Sequence, residues 1–246
     1  MGLGSNGRYT ARFSDAAADV AAAQRLRYRA FVDRDGGDRR DADLFDAICR
    51  HVLIEERKSG RLVCCFRLLD LEDGAQISRS YAAQYYELSA LEGYAGRMVE
   101  MGRFCIEPGL KDPDIIRVAW AAMSRYVDET GTDMLFGCSS FQGTDADGYR
   151  DAFAMLKERH LAPKRWLPQV KAPNVFRFAQ FLRKKADVKR AMLTMPPLLR
   201  GYLAMGGWVS DHAVVDRDLG TLHVFTGLEI SAIPPARKRL LRASAV

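Results

Sequence analysis

The spacing of apolar and polar positions predicts a chain that mixes strands with helices. Alternation over residues 8–14 predicts a first strand. The Ala-rich stretch after it predicts a helix to about Phe31, with Ser14 or Asp15 as its N-cap. Two further strands are predicted over residues 51–56 and 62–71. The second of them contains a continuous apolar run, as expected for a strand buried on both faces.

The rest of the chain continues this mixture. Residues 98–106, 114–130 and 134–140 predict a strand, a helix and a strand, which implies a parallel pair with a right-handed crossover. More helices are predicted over residues 85–91, 149–160, 175–193 and 196–205. The last strands are predicted over residues 213–215 and 222–230. The order predicts an α/β fold with a mixed central β-sheet flanked by helices.

Composition narrows the class of protein. The 246 residues are 48% hydrophobic and 28% charged, which excludes wholesale disorder. No apolar run approaches a membrane span, and residues 1–8 hold no apolar signal-peptide core. The five cysteines, an odd number, are expected to be reduced thiols of a cytoplasmic protein. No CxxC or HExxH motif occurs, so we expect no metal site.

Charge divides the chain unevenly. Residues 1–150 carry 20 basic and 24 acidic side chains, whereas residues 151–246 carry 17 and 7. A basic surface attracts phosphate, acidic proteins or anionic membranes, although it is also simply a solvated face in many proteins. No nucleic-acid-binding motif is present, and we expect no nucleic-acid partner. We expect a single domain over 1–246, with a catalytic core over 8–145 and a basic part over 146–246 that completes the sheet.

A charged network is expected near the first helix and strands. Arg67 stands inside an apolar strand, where a charge is costly unless it is paired. Its expected partner is one of Asp41, Asp43 and Asp46, which stand close together and can gather a cation or an arginine. Such a pair either fixes a loop or shapes a substrate pocket. Arg27 and Phe31 lie one helical turn apart and share a face.

The strand over 98–106 carries Glu100 and Arg103 among apolar residues. Their odd spacing places them on opposite faces unless a bulge occurs near Gly102. Burial raises the pKa of a carboxyl group, which suits a general base, and a structural role is the alternative.

Cys138, Ser139 and Ser140 end a strand of the predicted parallel pair, where ligands commonly bind. Cys138 is either a nucleophile, with His160 or His212 as base, or inert packing.

Several stretches carry a resemblance to known families. LRYRAF, DADLFD, VCCFRLL and VEMGRFCIEP are similar to acyl-homoserine-lactone synthases. GCSSFQGTD, PPLLRGYLAMGGWVSDHAVVD and HVFTGLEI look like the ornithine-lipid acyltransferases, which are acyl-carrier-protein-dependent amino-acid Nα-acyltransferases with the GCN5-related N-acyltransferase (GNAT) fold. This second resemblance runs from about Arg8 to about Leu241.

The resemblance implies transfer of a 3-hydroxyacyl chain from acyl-carrier protein to the α-amine of ornithine, the first step of ornithine-type aminolipid synthesis. Glutamine is the alternative acceptor. A lactone synthase and a non-enzymatic carrier-protein or membrane-binding module are the alternatives of other classes. The donor would be acyl-phosphopantetheine, with no permanently bound cofactor. In agreement, the glycine-rich pyrophosphate loop of CoA-dependent relatives is replaced by Glu107-Pro108-Gly109-Leu110.

The same resemblance suggests roles for individual residues. The expected catalytic residues are Glu100 and Arg103. The expected substrate-binding residues are Arg27, Phe31, Asp41, Asp43, Asp46, Arg67, Phe104, Cys105, Cys138, Ser139 and Ser140. The basic residues expected to bind the acidic carrier protein are Arg183, Lys184, Lys185, Lys189 and Arg190. Residues 175–193 are expected to be either an interfacial helix, with the protein peripheral on the inner face of the cytoplasmic membrane, or a core-packed helix with a basic edge.

Overall fold

The computed structural model describes residues 2–243. The strands are β1 (Gly2–Asn6), β2 (Tyr9–Ser14), β3 (Arg50–Glu56), β4 (Leu62–Leu71), β5 (Tyr86–Glu87), β6 (Met98–Ile106), β7 (Met134–Gln142), β8 (Gln169–Val170), β9 (Val175–Phe176), β10 (Trp208–Val209), β11 (Ala213–Asp216) and β12 (Thr221–Glu229). The α-helices are α1 (Ala17–Phe31), α2 (Pro113–Thr130), α3 (Arg150–Arg159), α4 (Phe178–Phe181), α5 (Val188–Thr194), α6 (Pro197–Ala204) and α7 (Pro235–Ala243).

The chain forms two compact units. The first contains the residues up to Asp70, Met101–Thr132 and the residues from Pro234 onward, and the second contains Leu71–Glu100 and Asp133–Ile233. The units interleave along the chain, and β6 passes from the second into the first after Glu100. A single domain with a core over 8–145 and a basic part over 146–246 stays a prediction.

The first unit is built on antiparallel strands. β2 lies between β1 and β3, and β3 pairs with β4 so that His51 stands opposite Arg67. The other neighbour of β4 is β6. A compact apolar cluster joins α1 to these strands through Ala23, Leu26, Leu53, Cys65 and Cys105. The strands and the helix therefore share one core, which fixes the polar residues that α1, β4 and β6 carry.

The two long helices of the first unit start differently. Asp112 caps α2 by accepting the Asp114 amide, and Gly131 ends the helix with a left-handed φ of 66°. The predicted helix over 114–130 is thus confirmed. At α1 the predicted cap is wrong, because the N-cap residue is Ala16 and makes no side-chain cap hydrogen bond. Ser14 is the last residue of β2, and its hydroxyl instead donates to Asp19 at 2.6 Å.

The second unit contains a mixed sheet. The first three residues of β6 pair in parallel with β7, so that Glu100 stands beside Phe136. β7 pairs antiparallel with β12, which also pairs with β10 and β11. β11 then pairs with β9. The predicted mixed β-sheet and its parallel pair are confirmed.

The single basic helix predicted over residues 175–193 is wrong. The stretch is a short strand (β9), one turn of helix (α4), an irregular segment and then α5. The Phe178 ring is fully buried and stacks on Phe153 at 5.1 Å, which holds α4 against α3. Asp187 caps the start of a separate helix, α5, because its side chain accepts a hydrogen bond from the Arg190 amide. Tertiary packing of one aromatic ring therefore overrides the helical pattern.

The helix predicted over residues 85–91 is also wrong. β5 pairs with β8 there, and only Ser89–Leu91 forms a 3-10 turn. The buried Tyr86 hydroxyl donates to the His223 carbonyl at 2.8 Å, so a contact distant in sequence fixes this stretch. Within residues 2–243, no helix is long and apolar enough to cross a membrane.

Candidate functional site

Three arginines and three aspartates meet in the first unit. Arg27 comes from α1, Arg67 from β4 and Arg103 from β6. Asp41 lies in the loop after α1, and Asp43 and Asp46 belong to the 3-10 turn Leu44–Ala47 as its N-cap and third residue. The expected pairing of Arg67 with these aspartates is confirmed.

The six groups close into a ring in which charges alternate, which we call the charge ring. Asp41 Oδ2 accepts from Arg27 Nε at 2.8 Å and from Arg103 Nε at 2.9 Å. Asp43 accepts two bonds from Arg67, at 2.5 and 2.7 Å, and one from Arg103 at 3.2 Å. Asp46 Oδ1 joins Arg27 at 2.5 Å to Arg67 at 2.8 Å. Every carboxylate therefore bridges two arginines.

Burial makes this pairing necessary. The side chains of Arg27 and Arg67 are only 2% and 3% exposed, and an isolated charge there would be strongly destabilising. Burial raises the pKa of the Asp43 carboxyl, but the Arg67 hydrogen bonds and the charges of Arg67 and Arg103 together outweigh burial, so the pKa lies below its usual value. Burial likewise opposes the ionised form of Asp46, yet the hydrogen bond and the charge of Arg27 help to hold the pKa of this carboxyl well below its usual value. Asp43 and Asp46 are therefore ionised at neutral pH.

Further side chains hold the charge ring in place. Gln24 Nε2 donates to Asp46 at 3.0 Å, and His51 Nε2 lies 3.0 Å from the Asp46 carbonyl oxygen. The Phe45 ring packs under the Arg67 guanidinium at 5.3 Å. Neither Gln24 nor His51 was predicted from the sequence to lie at the site. Gln24 precedes Arg27 by three positions and shares its helical face. This spacing could have predicted that Gln24 lies beside the charge ring.

Arg103 has an unusual backbone. Its φ is 53°, a left-handed value that disfavours residues other than glycine. This left-handed residue directly follows Gly102, near which a bulge was considered from the sequence. Its hydrogen bonds to Asp41 and Asp43 hold the side chain in the charge ring, so the ring helps to keep the strained backbone in place.

Of the apolar residues expected at the site, Cys105 lies in the buried core, whereas Phe31 and Phe104 are partly buried. Phe31 packs against the cluster that contains Cys65 and Cys105, whose sulfur atoms are 3.6 Å apart. Phe104 packs on Phe66 with ring centroids 5.7 Å apart. Burial raises the pKa of the Cys105 thiol well above its usual value, so this thiol is protonated at neutral pH.

Glu100 belongs to the second unit and is buried. The backbone amides of Tyr81 and Ala82 each donate to one of its oxygens at 2.7 Å. These amides stand at the start of the 3-10 turn Ala82–Gln84, and they stabilise the ionised carboxylate. This contact was not predicted from the sequence, because any residue type can supply a backbone amide.

Cys138, Ser139 and Ser140 point in alternating directions along β7. Cys138 stands opposite Phe225 and Ser140 opposite His223, on the face that Glu100 and Phe136 share. Ser139 lies on the other face and accepts a hydrogen bond from Thr226 at 2.9 Å. Cys138 is half-buried and Ser140 is exposed, so both are partly open on the face that Glu100 occupies.

Two buried histidines lie near this face. The Tyr86 hydroxyl donates to the His223 carbonyl and lies 3.2 Å from His223 Nδ1. Burial and the neighbouring His212 lower the pKa of His223 to about 3, so its ring is neutral at physiological pH. Among the described residues, no group of His, Cys, Asp and Glu could hold a metal ion.

Comparison with known proteins agrees with the resemblance seen in the sequence. Residues 26–121 match the family model of an acetyltransferase (GNAT) domain. The chain is 34% identical to an L-ornithine N(alpha)-acyltransferase of Rhodobacter capsulatus, over 92% of this chain and 91% of the relative. The chain belongs to the L-ornithine N(alpha)-acyltransferase family.

A second member of this L-ornithine N(alpha)-acyltransferase family, from Brucella abortus, is 30% identical over 94% of this chain and 88% of the relative. Among solved structures, FeeM, an N-acyl amino acid synthase from uncultured soil microbes, aligns with a TM-score of 0.50 and 13% identity, covering 91% of this chain and 92% of that one. This alignment supports the predicted GNAT-like fold. The charge ring and Glu100 therefore lie in a chain with the fold and the family of an N-acyltransferase.

Proposed function

We propose that this protein transfers a 3-hydroxyacyl chain from acyl-carrier protein to the α-amine of ornithine, giving the one-chain precursor of an ornithine-type lipid. The observation that carries the proposal is the relationship to L-ornithine N(alpha)-acyltransferases along nine-tenths of the chain. An acyltransferase needs an acyl donor and an acceptor. Individual residues suggest which donor the protein uses and how the acceptor amine loses its proton.

The start of α2 favours a carrier-protein donor over CoA. Asp112 as the N-cap and Asp114 in the first turn place two carboxylates at this helix N-terminus, and the Tyr9 hydroxyl and Arg8 donate hydrogen bonds to Asp112. A helix N-terminus that binds a diphosphate needs free amides and no competing anion. Acyl-phosphopantetheine on a carrier protein carries a single phosphodiester and makes less demand on this loop.

The loop before α2 supports the same preference. The Glu107 carboxylate is bonded to Arg29 at 2.8 Å and lies 3.5 Å from Arg61. The amides of Glu107 and Leu110 donate to backbone carbonyls. These cations and amides are therefore engaged within the protein, where a CoA-binding loop would present them to the diphosphate.

We assign Glu100 as the group that receives the proton from the acceptor amine. The ammonium must lose a proton before its nitrogen can attack the thioester carbonyl. A carboxylate that accepts from two amides can also accept a hydrogen bond from an ammonium or from a water, because its two oxygens offer about four acceptor sites. The nitrogen–acyl bond then forms as the carbon–sulfur bond breaks, and the departing sulfur takes the second proton that the nitrogen must lose, so the carrier protein leaves as its free thiol.

We assign the charge ring a positioning role. Its aspartates and arginines are paired with one another, so it holds the loop over Asp41–Asp46 and the backbone at Arg103. The left-handed φ of Arg103 turns the adjacent peptide groups away from the regular strand pattern. The amides from Arg103 to Cys105 are the groups we propose to stabilise the developing oxyanion. Cys138 and Ser140 are proposed to contact substrate, and Ser139 stays a prediction.

The test is lipid mass spectrometry after expression in a bacterial host that makes no aminolipids. A new 3-hydroxyacyl-ornithine species supports the proposal, and its head-group fragment distinguishes ornithine from glutamine or lysine. Since this product carries one acyl chain, it partitions into bilayers, and we propose that the protein contacts the membrane peripherally. If no new lipid forms although the chain is expressed and folded, the proposed reaction is wrong.

A further inference from the structure

Residues 181–193 form an unusual surface of the second unit, which we call the apolar–basic segment. Of the nine large apolar residues that the described side chains leave exposed, four lie in this segment. They are Phe181 (63% exposed), Val188 (42%), Met192 (41%) and Leu193 (77%). Five cations of the same segment are exposed as well, namely Arg183, Lys184, Lys185, Lys189 and Arg190. Exposed apolar residues at this density usually mark an interaction surface.

The apolar–basic segment is firmly attached to the helix behind it. Lys157 of α3 donates to the Leu182 carbonyl at 2.6 Å. The amides of Ala186 and Asp187 donate to carboxylates of the same helix, each at 3.0 Å. Ala191 is fully buried. Since these contacts fix the inner side of the segment, the exposed apolar side chains and the cations are held outward.

Charge points to the kind of partner. Residues 181–193 contain five cations and a single carboxylate, that of Asp187, which caps α5. Apart from a 4.0 Å approach of Arg190 to Asp151, the cations are not held by acidic groups among the described residues. Anionic lipid headgroups attract such cations, and Leu and Phe side chains enter the acyl boundary beneath.

We propose that the apolar–basic segment is a docking surface for an anionic lipid bilayer. An acidic protein would satisfy the cations, whereas a bilayer offers both anions for the cations and a hydrocarbon layer for side chains as exposed as Leu193 and Phe181. The biological purpose of this docking rests on the proposed function, because the docked protein would release its one-chain lipid product at the membrane. Vesicle binding itself does not depend on the reaction.

The test measures binding of the purified full chain to vesicles of equimolar phosphatidylglycerol and phosphatidylcholine, and of phosphatidylcholine alone. We expect binding to the anionic vesicles only, weakened by salt. The double variant Lys184→Ala/Lys185→Ala should lower the partition coefficient about 30-fold, and Phe181→Ser/Leu193→Ser about 10-fold or more. The matched controls Arg57→Ala/Lys58→Ala and Val32→Ser, at exposed positions of the first unit, should bind as the parent does.

The outcomes separate this inference from the proposed function. Phe181→Ser/Leu193→Ser should keep the parent kcat with ornithine and water-soluble hydroxyacyl-carrier protein. The inference is wrong if the segment variants bind anionic vesicles like the parent, or if a Leu240→Ser change in α7 alone abolishes binding. It is also wrong if the lysine variant keeps its vesicle affinity and loses affinity for carrier protein. A chain that binds vesicles and makes no acylornithine contradicts the proposed function alone.

Discussion

The two units keep buried charge in different ways. In the first unit, six groups of alternating sign close on one another, and each carboxylate bridges two guanidinium groups. In the second unit, the Glu100 oxygens accept from the neutral amides of Tyr81 and Ala82. Paired charges cancel and fix structure, whereas amide dipoles stabilise a carboxylate without cancelling its charge. The contrast is why we place proton transfer at Glu100 and positioning in the charge ring.

The largest expected effect comes from opening the charge ring. Arg67→Ala removes a partner from both Asp43 and Asp46 and leaves buried carboxylates undercompensated. We expect a loss of about 3–5 kcal/mol in the free energy of unfolding, measured by urea titration. Arg67→Lys retains the charge without the bidentate geometry and should lose less. A loss of less than about 1 kcal/mol in the free energy of unfolding of Arg67→Ala would contradict the stabilising role that we give to the closed ring.

The next effect tests the chemistry of the second unit. Glu100→Gln should lower kcat by roughly 10²-fold or more, because the neutral amide cannot take the proton. The new NH2 group would also face a backbone donor, which should cost about 1–3 kcal/mol of stability. Turnover therefore has to be measured well below the melting temperature of the variant. Glu100→Asp keeps the charge and should retain more activity than Glu100→Gln; parental turnover in Glu100→Gln would remove this residue from the reaction.

Acid titration sharpens the same contrast. The pKa values of Asp43 and Asp46 are lowered in the folded state. Their stabilisation is therefore present above about pH 4, the pKa of an unfolded aspartate, and is lost as the pH falls through the lower folded values. We expect the free energy of unfolding to decline from about pH 5 downward, and Arg67→Ala to flatten this decline. The pKa of Asp19, lowered to about 2 chiefly by its hydrogen bond from Arg12, contributes too, so Asp19→Asn serves as the control.

The smallest effect is expected from an exposed ion pair. Arg125 and Glu129 pair at 2.7 Å across one turn of α2, with side chains 38% and 49% exposed. Arg125→Ala should reduce the free energy of unfolding by only about 0.3–0.5 kcal/mol. A thermal melt of this variant beside Arg67→Ala compares the same residue type in the two settings. Equal losses of stability in Arg125→Ala and Arg67→Ala would contradict the importance that we assign to the burial of the Arg67 ion pairs.

Local sequence patterns were sufficient where an element is regular and its partners have an obvious charge. The strand over Met98–Ile106 and the helix over 114–130 follow from apolar spacing and from the stop at Gly131. The partners of Arg67 follow from electrostatics, because three aspartates stand close together in the sequence and a buried guanidinium requires a carboxylate.

Elements that depend on distant contacts were not predictable in this way. Residues 175–193 break because Phe178 packs on Phe153, and residues 85–91 are held by the bond from Tyr86 to His223. Neither partner is visible in the local pattern. The amides that bind Glu100 come from a turn formed earlier in the chain, and a backbone donor has no residue type by which to recognise it.

The most direct test of the central claim is a defined reaction of the purified chain with 3-hydroxyacyl-carrier protein and ornithine labelled with nitrogen-15 at the α-amine. Mass spectrometry of the product and a thiol assay of the released carrier protein follow both halves of the transfer. We expect an acylornithine whose amide nitrogen is the labelled one, with one free thiol released per product. No acylated product, or methylthioadenosine released when S-adenosylmethionine replaces ornithine, would contradict it.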